Sequence, residues 1–264
     1  IANTHDYIFF VTSAGKAYWV KVHELPEGTK TSRGSHIKTL LQISANEEIT
    51  TVMDLQEFSD DKYIFMATRR GIVKKVRTSD FSNAKTRGII ALNLAQNDKL
   101  VSSILTTGDN DVILVSRSGN ALRFHEEEVR AMGRSSRGVT GMKLSKDDEL
   151  VGVLRVEESE HMFVITENGI GKRVEYDHFH PHGRGTRGQI AYKSDDKTGE
   201  LVGTLSLSGE DDIVCITSRG VSIKLPVESI PIQGRTARGV ILVNIEKPDQ
   251  LVGVARVVNE KEED

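Results

Sequence analysis

The sequence predicts an all-β fold built from five repeated four-stranded blades, and three observations predict it. The dipeptide Arg-Gly recurs at Arg33-Gly34, Arg87-Gly88, Arg137-Gly138, Arg187-Gly188 and Arg238-Gly239, its glycines 54, 50, 50 and 51 residues apart. In register with it run β-branched apolar stretches, each followed by a glycine. No long segment carries the 3.6-residue period of a helix, and Glu126–Met132 offers one helical turn at most.

The first element of each repeat is the apolar run itself: Tyr7–Thr12, Tyr63–Thr68, Val112–Ser116, Met162–Thr166 and Ile213–Thr217. Continuous apolar runs of this length read as buried strands. Gly15, Gly71, Gly119, Gly169 and Gly220 follow, each at the positive-φ place of a two-residue hairpin. The second strand alternates and carries a cation four residues past that glycine, at Lys75, Arg123, Arg173 and Lys224, where the first copy has Trp19. After the Arg-Gly turn a third strand is expected at Ile37–Ile43, Ile89–Leu94, Val139–Leu144, Gln189–Lys193 and Val240–Ile245. A fourth closes the unit at Ile49–Leu55, Leu100–Leu105, Leu150–Val156, Leu201–Leu207 and Leu251–Val257.

Four strands in about fifty residues is the arithmetic of a propeller blade. A lone blade exposes both sheet faces, so its stability is expected from stacking on its neighbours. The reading is therefore a single domain over residues 1–264, with blades at about 1–55, 56–107, 108–157, 158–208 and 209–258 and an acidic tail at 259–264. Ile1–Thr4 aligns with Ile104–Thr107 at the end of a fourth strand, so a further repeat is expected upstream.

Composition narrows the function. The 264 residues are 38% hydrophobic and 28% charged, which suits a soluble globular protein, and no apolar run is long enough to cross a membrane as a helix. The lone Cys215 lies in an apolar run and reads as a core thiol. No Ser, His and Asp set forms a triad, Gly169-Ile-Gly171-Lys172 lacks phosphate-loop spacing, and no Cys or carboxylate pattern completes a metal site around His178, His180 and His182. No cofactor, metal or catalytic residue is expected.

Net charge is −3, yet the signs are segregated: acid gathers in clusters such as Asp109–Asp111, Glu157–Glu160 and Glu210–Asp212, and base gathers in the repeated turns. The turns sharpen to R-x-x-R-G with Arg134 and Arg137, Arg184 and Arg187, and Arg235 and Arg238; Lys30 with Arg33 keeps the charges, and the second repeat offers Lys85 with Arg87. Guanidinium forks suit phosphate oxygens, and glycine lets backbone N–H groups approach them. The candidate DNA-binding residues are therefore these ten, with Lys75, Arg123, Arg173 and Lys224 in support. A half-turn of duplex around a body of this size costs on the order of 10–15 kcal/mol. One arginine pair cannot sustain that bend; a regular series can, because each neutralised phosphate releases counterions.

Several stretches resemble the C-terminal domains of bacterial DNA gyrase A subunits: Ile1-Ala-Asn-Thr-His-Asp-Tyr7, Glu57-Phe-Ser-Asp-Asp-Lys-Tyr63, Asp80-Phe-Ser-Asn83 with Gly88-Ile-Ile-Ala91, and Met132-Gly-Arg-Ser-Ser-Arg-Gly138. The resemblance runs the whole length. It implies a β-pinwheel, a propeller-like disc with altered strand connections between blades, that wraps double-stranded DNA on its basic perimeter. It also implies an accessory role in the gyrase heterotetramer, beside the remainder of the gyrase A polypeptide and the gyrase B polypeptide, in the bacterial cytoplasm and nucleoid. There it would support negative supercoiling, with the catalytic tyrosine in another domain. The family's box, Q-(R/K)-R-G-G-(R/K)-G, has a degenerate copy at Gln233–Gly239; the resemblance places the true box in the blade before Ile1, where the chain is read as truncated. A topoisomerase IV-type domain, which binds DNA without strong wrapping, and a protein-interaction propeller are the alternatives.

Overall fold

Each apolar run becomes a central strand; in the first four repeats it is covered on both faces, which is why it shows no polar alternation, whereas in the fifth Ile216 is exposed. In a computed structural model, residues 2–29 and 33–258 are described. The first repeat forms β1 (Tyr7–Thr12), β2 (Lys16–Lys21) and β3 (Ile49–Leu55). The second forms β4 (Tyr63–Thr68), β5 (Ile72–Arg77), β6 (Ile89–Ile90) and β7 (Leu100–Thr106). The third forms β8 (Asp111–Ser116), β9 (Asn120–His125), β10 (Val139–Thr140) and β11 (Leu150–Arg155). The fourth forms β12 (His161–Thr166), β13 (Ile170–Glu175), β14 (Gln189–Ile190) and β15 (Leu201–Leu207), and the fifth β16 (Asp212–Thr217), β17 (Ser222–Pro226), β18 (Val240–Ile241) and β19 (Leu251–Val257).

The sheets run β3-β1-β2-β6, β10-β5-β4-β7, β11-β8-β9-β14 and β15-β12-β13-β18, with a three-stranded β17-β16-β19 last. Two expectations need correction. The third strand is two residues long, and it completes the sheet of the preceding repeat: β6 pairs with β2, β14 with β9 and β18 with β13. After two ladder residues the chain turns inward, because the next N–H groups bond the preceding hairpin glycine instead. Ala91 and Leu92 donate to Gly15 O (2.8 and 3.1 Å), Ala191 and Tyr192 to Gly119 O (2.8 and 2.9 Å), and Leu242 and Val243 to Gly169 O (2.9 and 3.1 Å). In the first repeat the segment forms a 3-10 turn at Ile37–Thr39 and packs Leu41 and Ile43 against Phe10, Tyr18 and Val20. The first four hairpin loops hold three residues between the strands rather than two, with glycine last, and the fifth holds four with Gly220 third; the glycine φ values run from +73 to +91°. Each is a tight turn in which the glycine N–H bonds the carbonyl three residues earlier, closed by a left-handed residue.

The chain divides into two compact units, Ile1–Asp109 with Val129–Val139, and Asn110–Glu128 with Thr140–Asp264. Within the first, Phe9, Trp19, Ile64, Met66 and Phe81 form one buried cluster, with Tyr7 edge-on to Trp19 at 4.9 Å. Within the second, β12 shows the period of two: Met162 and Val164 join Ile113, Val115 and Tyr176, while Phe163 and Ile165 join Ile213, Cys215 and Val227. Each fully buried Phe, Ile or Val contributes about 1.5–3 kcal/mol, so sheet-on-sheet packing outweighs any surface ion pair. Burial pushes the Cys215 thiol up to about 11, as expected of a core cysteine.

Candidate nucleic-acid interface

The Arg-Gly turns of repeats two to five follow the same path. The second strand ends in a short 3-10 corner such as Thr78–Phe81 or Val227–Ser229, the turn crosses back, and its glycine lands on the second strand of the preceding repeat. Gly88, Gly138, Gly188 and Gly239 have φ between +73 and +82°. A Cβ on Gly138 would stand 2.5 Å from Val73 O and one on Gly239 2.7 Å from Gly171 O; on Gly88 and Gly188 it would meet the Tyr18 ring and Ala121 O. Close approach and backbone sign both demand glycine here. Gly34 has open space around its α-carbon.

The arginine before each of these four glycines is thereby carried on a seated turn, and all five turn arginines face solvent. Arg33, Arg87, Arg137, Arg187 and Arg238 are all exposed. Arg238 pairs with Asp195 at 2.9 Å while its side chain stays 66% exposed, an ion pair worth at most about 1 kcal/mol that an incoming phosphate can replace. Lys85 is exposed at φ +44°, held there by its carbonyl accepting the Trp19 N–H at 3.1 Å.

The first arginine of each motif works differently. Arg134, Arg184 and Arg235 each send Nη1 to the carbonyl of the last residue of a two-residue strand: Ile90 (3.3 Å), Thr140 (3.0 Å) and Ile190 (2.8 Å). Arg184 also donates Nε to Glu128 O at 2.8 Å, and Arg235 lies 5.9 Å from the Phe179 ring. A guanidinium has five N–H donors, so bracing uses only part of the fork. Beside Arg134 a groove of about 550 Å³ opens, lined by Lys16, Asp80, Gly88, Ile90 and Ser135, placing two cations, one carboxylate and glycine backbone around one concavity.

Three of the four supporting cations require correction. Lys75 is 5% exposed with Nζ 5.1 Å from the Tyr63 ring, and Arg173 is 8% exposed with Nε donating to Ile230 O at 2.8 Å. Neither reaches an external phosphate. Arg123 is committed to Asp111 (2.7 Å) and to Tyr176 O (3.1 Å). Lys224 pairs with Asp212 at 2.7 Å, but its side chain is 58% exposed and, like that of Arg238, stays open to an incoming phosphate. Trp19 explains Arg123 and Arg173: its Nε1 donates to Phe81 O at 3.0 Å, the corner equivalent to Phe179 and Ile230, so in these three repeats the position supplies an N–H donor that pins the next corner. Lys30 and the tail Glu260–Asp264 lie outside the described residues.

The structure adds two cations that strand patterning did not single out. Lys74 and Lys172 are fully buried beneath turns three and five. Adjacent cations at Lys74-Lys75 and Lys172-Arg173 within a strand were the available signal, since alternation sends the two side chains to opposite faces. Among the described residues, no group of three His, Cys, Asp or Glu is gathered as a metal site.

Repeated blades whose second strands are completed by the following repeat, each bearing an arginine turn, define a propeller-type repeat domain. The family model described as DNA gyrase C-terminal domain, beta-propeller matches residues 6–55, 62–107, 110–157, 160–208 and 211–257, and the chain belongs to that family. It is similar to the DNA gyrase A subunit of Treponema pallidum (58% identical over 257 residues, 97% of this chain and 32% of that protein) and to that of Brachyspira hyodysenteriae (51% over 264 residues, 100% and 32%). It thus spans about a third of the length of these relatives. Among solved structures it is similar to a C-terminal domain of DNA gyrase A (TM-score 0.84, 31% identical, covering 97% of this chain and 84% of that one) and to one of DNA topoisomerase IV (TM-score 0.87, 27% identical, 97% and 80%).

Proposed function

We propose that this chain, acting as one domain across its five repeats, is the non-catalytic DNA-binding and DNA-bending part of a gyrase A polypeptide. In this reading it holds duplex DNA along its arginine turns and presents it to the cleavage core of a complex that includes the gyrase B polypeptide, in the bacterial cytoplasm at the nucleoid, so that strand passage yields negative supercoils. The observation that carries it is the repeated exposed arginine, Arg33, Arg87, Arg137, Arg187 and Arg238, four of its turns seated by a positive-φ glycine. The turns contact phosphate rather than base edges, because their donors are forks and backbone N–H groups on short loops that enter no groove. Sequence-independent bending follows from that chemistry.

The test is topological. Relaxed circular plasmid is incubated with increasing protein, relaxed by a type I topoisomerase and stripped of protein. Wrapping predicts a topoisomer shift that grows with protein. Binding without a shift replaces this reading with the topoisomerase IV-type one, in which DNA is held but not strongly wrapped; the fold likeness to that family is the observation favouring it.

A further inference from the structure

We infer that Lys74 and Lys172 are positioning residues for the DNA-contacting turns above them, each using a fully buried ammonium to hold the main chain of an R-x-x-R-G loop in its binding shape. The inference rests on the DNA-binding reading of those turns. Lys172 Nζ donates to Gly234 O (2.9 Å), Arg235 O (2.6 Å) and Ala237 O (2.8 Å), three carbonyls inside Gly234–Gly239. Lys74 Nζ donates to Arg134 O, to Ser136 O (3.1 Å) and to Ala91 O (2.7 Å).

An ammonium has three N–H donors and no acceptor, so three carbonyls satisfy it in full. A neutral amine has two donors and a lone pair, which would face one of those carbonyls. The clamp therefore works only while the lysine is charged. With the carbonyls drawn inward onto Nζ, the arginine side chains are left to the outer side, and Arg137 and Arg238 are exposed.

The repeats contain their own control. The residue equivalent to Lys74 and Lys172 is Leu122 under the fourth turn, which is held instead by Gly185 N to Gly141 O (2.6 Å) and Arg184 N to Glu128 Oε2 (2.8 Å). Under the second turn it is Tyr18, whose hydroxyl donates to Glu47 at 3.0 Å. Turns three and five are thus lysine-clamped, and turns two and four are not.

The charged groups facing each lysine are few. Burial and the neighbouring Arg134 bring Lys74 down to about 8 against a smaller opposing pull from Asp80. Burial and Arg235 bring Lys172 down to about 8, with the Tyr192 ring 5.6 Å from its Nζ. Both ammonium groups are charged below that value and discharge as pH rises through it, so the part of DNA affinity that depends on them is present below pH 8 and lost above it.

The experiment measures duplex DNA binding by the whole chain at fixed salt between pH 6.5 and 9.5, for the unaltered protein, Lys74→Met, Lys172→Met, the double variant, Arg187→Ala and Leu122→Met. Each lysine replacement is expected to weaken binding about three- to tenfold at pH 7, the size of one or two lost phosphate contacts. The unaltered chain is expected to lose a comparable factor between pH 7.5 and 9 while the double variant stays level. Arg187→Ala weakens binding at every pH, and Leu122→Met leaves it unchanged. Folded lysine variants that bind as the unaltered chain does, with the same pH profile, overturn the clamp while the loss in Arg187→Ala keeps the DNA reading intact. Absence of binding by the unaltered chain overturns both. If a lysine variant unfolds, NMR titration of the Lys172 ε-carbon in the unaltered chain decides: a pKa that rises on adding duplex supports the clamp, and one that stays fixed refutes it.

Discussion

Replacing Gly239 by alanine isolates the reason the repeated dipeptide ends in glycine. The residue has φ +80°, and a Cβ there would lie 2.7 Å from Gly171 O, 3.1 Å from Gly171 C and 3.3 Å from Ile170 Cγ2. The left-handed backbone costs a non-glycine residue about 1–2 kcal/mol. Relieving the approach requires the turn to lift from β13, with an overpacking cost of about 1–3 kcal/mol. The sum, about 3 kcal/mol, corresponds to a fall in melting temperature of roughly 6–12 °C at about 2–4 °C per kcal/mol. Gly34→Ala is the matched control, because a Cβ there meets nothing within 4 Å and no positive φ is required. It is expected to change stability by less than about 0.5 kcal/mol. Thermal and urea unfolding followed by circular dichroism measure both. Equal stability of Gly239→Ala and the unaltered chain, or equal damage by the two substitutions, would refute the claim that these glycines seat the turns on the preceding strand.

Two further perturbations test the packing that supports the turns. Burial pushes the Glu47 carboxyl upward, but hydrogen bonds from Thr12, Ser44 N and Tyr18 and the nearby Lys16 outweigh it and hold its pKa below the ordinary value. A depressed folded pKa means stability that is present above the unfolded value and lost as pH falls through the folded one, so unfolding midpoints should drop below about pH 4.5 and Glu47→Gln should flatten that slope. Arg256 pairs with Glu160 at 2.6 Å and with Asp211 at 2.9 Å, the latter's side chain 4% exposed. Arg256→Ala leaves Asp211 buried without this partner and should cost about 2–4 kcal/mol in denaturant unfolding.

Much of the blade was legible because its signals are local. The apolar runs at Tyr63–Thr68 and Met162–Thr166 and the hairpin glycines at Gly71 and Gly169 each carry their reason within a few residues. The third strand was not legible in length or partner. Ile89–Leu94 is apolar at all but Asn93, as a strand can be, but its register ends at Ile90 because Ala91 and Leu92 bond Gly15, some 75 residues earlier in the chain. The exposed arginines of the turns were readable from repetition. The opposite fate of Lys75 and Arg173 was not, since a cation in a strand is drawn to a carbonyl or to water by contacts that sequence spacing does not record. Trp19 was the clue: an indole N–H in a column of cations signals a shared donor role inside the fold rather than a shared charge outside it.

The central claim is that the repeated arginine turn is a phosphate clamp, and a salt series tests it most directly. Binding of linear duplex DNA is measured from low to high salt for the unaltered chain and for a variant with Arg137, Arg187 and Arg238 all changed to Ala. The account predicts a variant that melts as the unaltered chain does, since these side chains are exposed, yet binds more weakly with a salt slope shallower by about 0.9 for each phosphate contact removed. An unchanged slope and affinity, or a variant that loses stability in place of DNA, would contradict it and make the turns pins between blades.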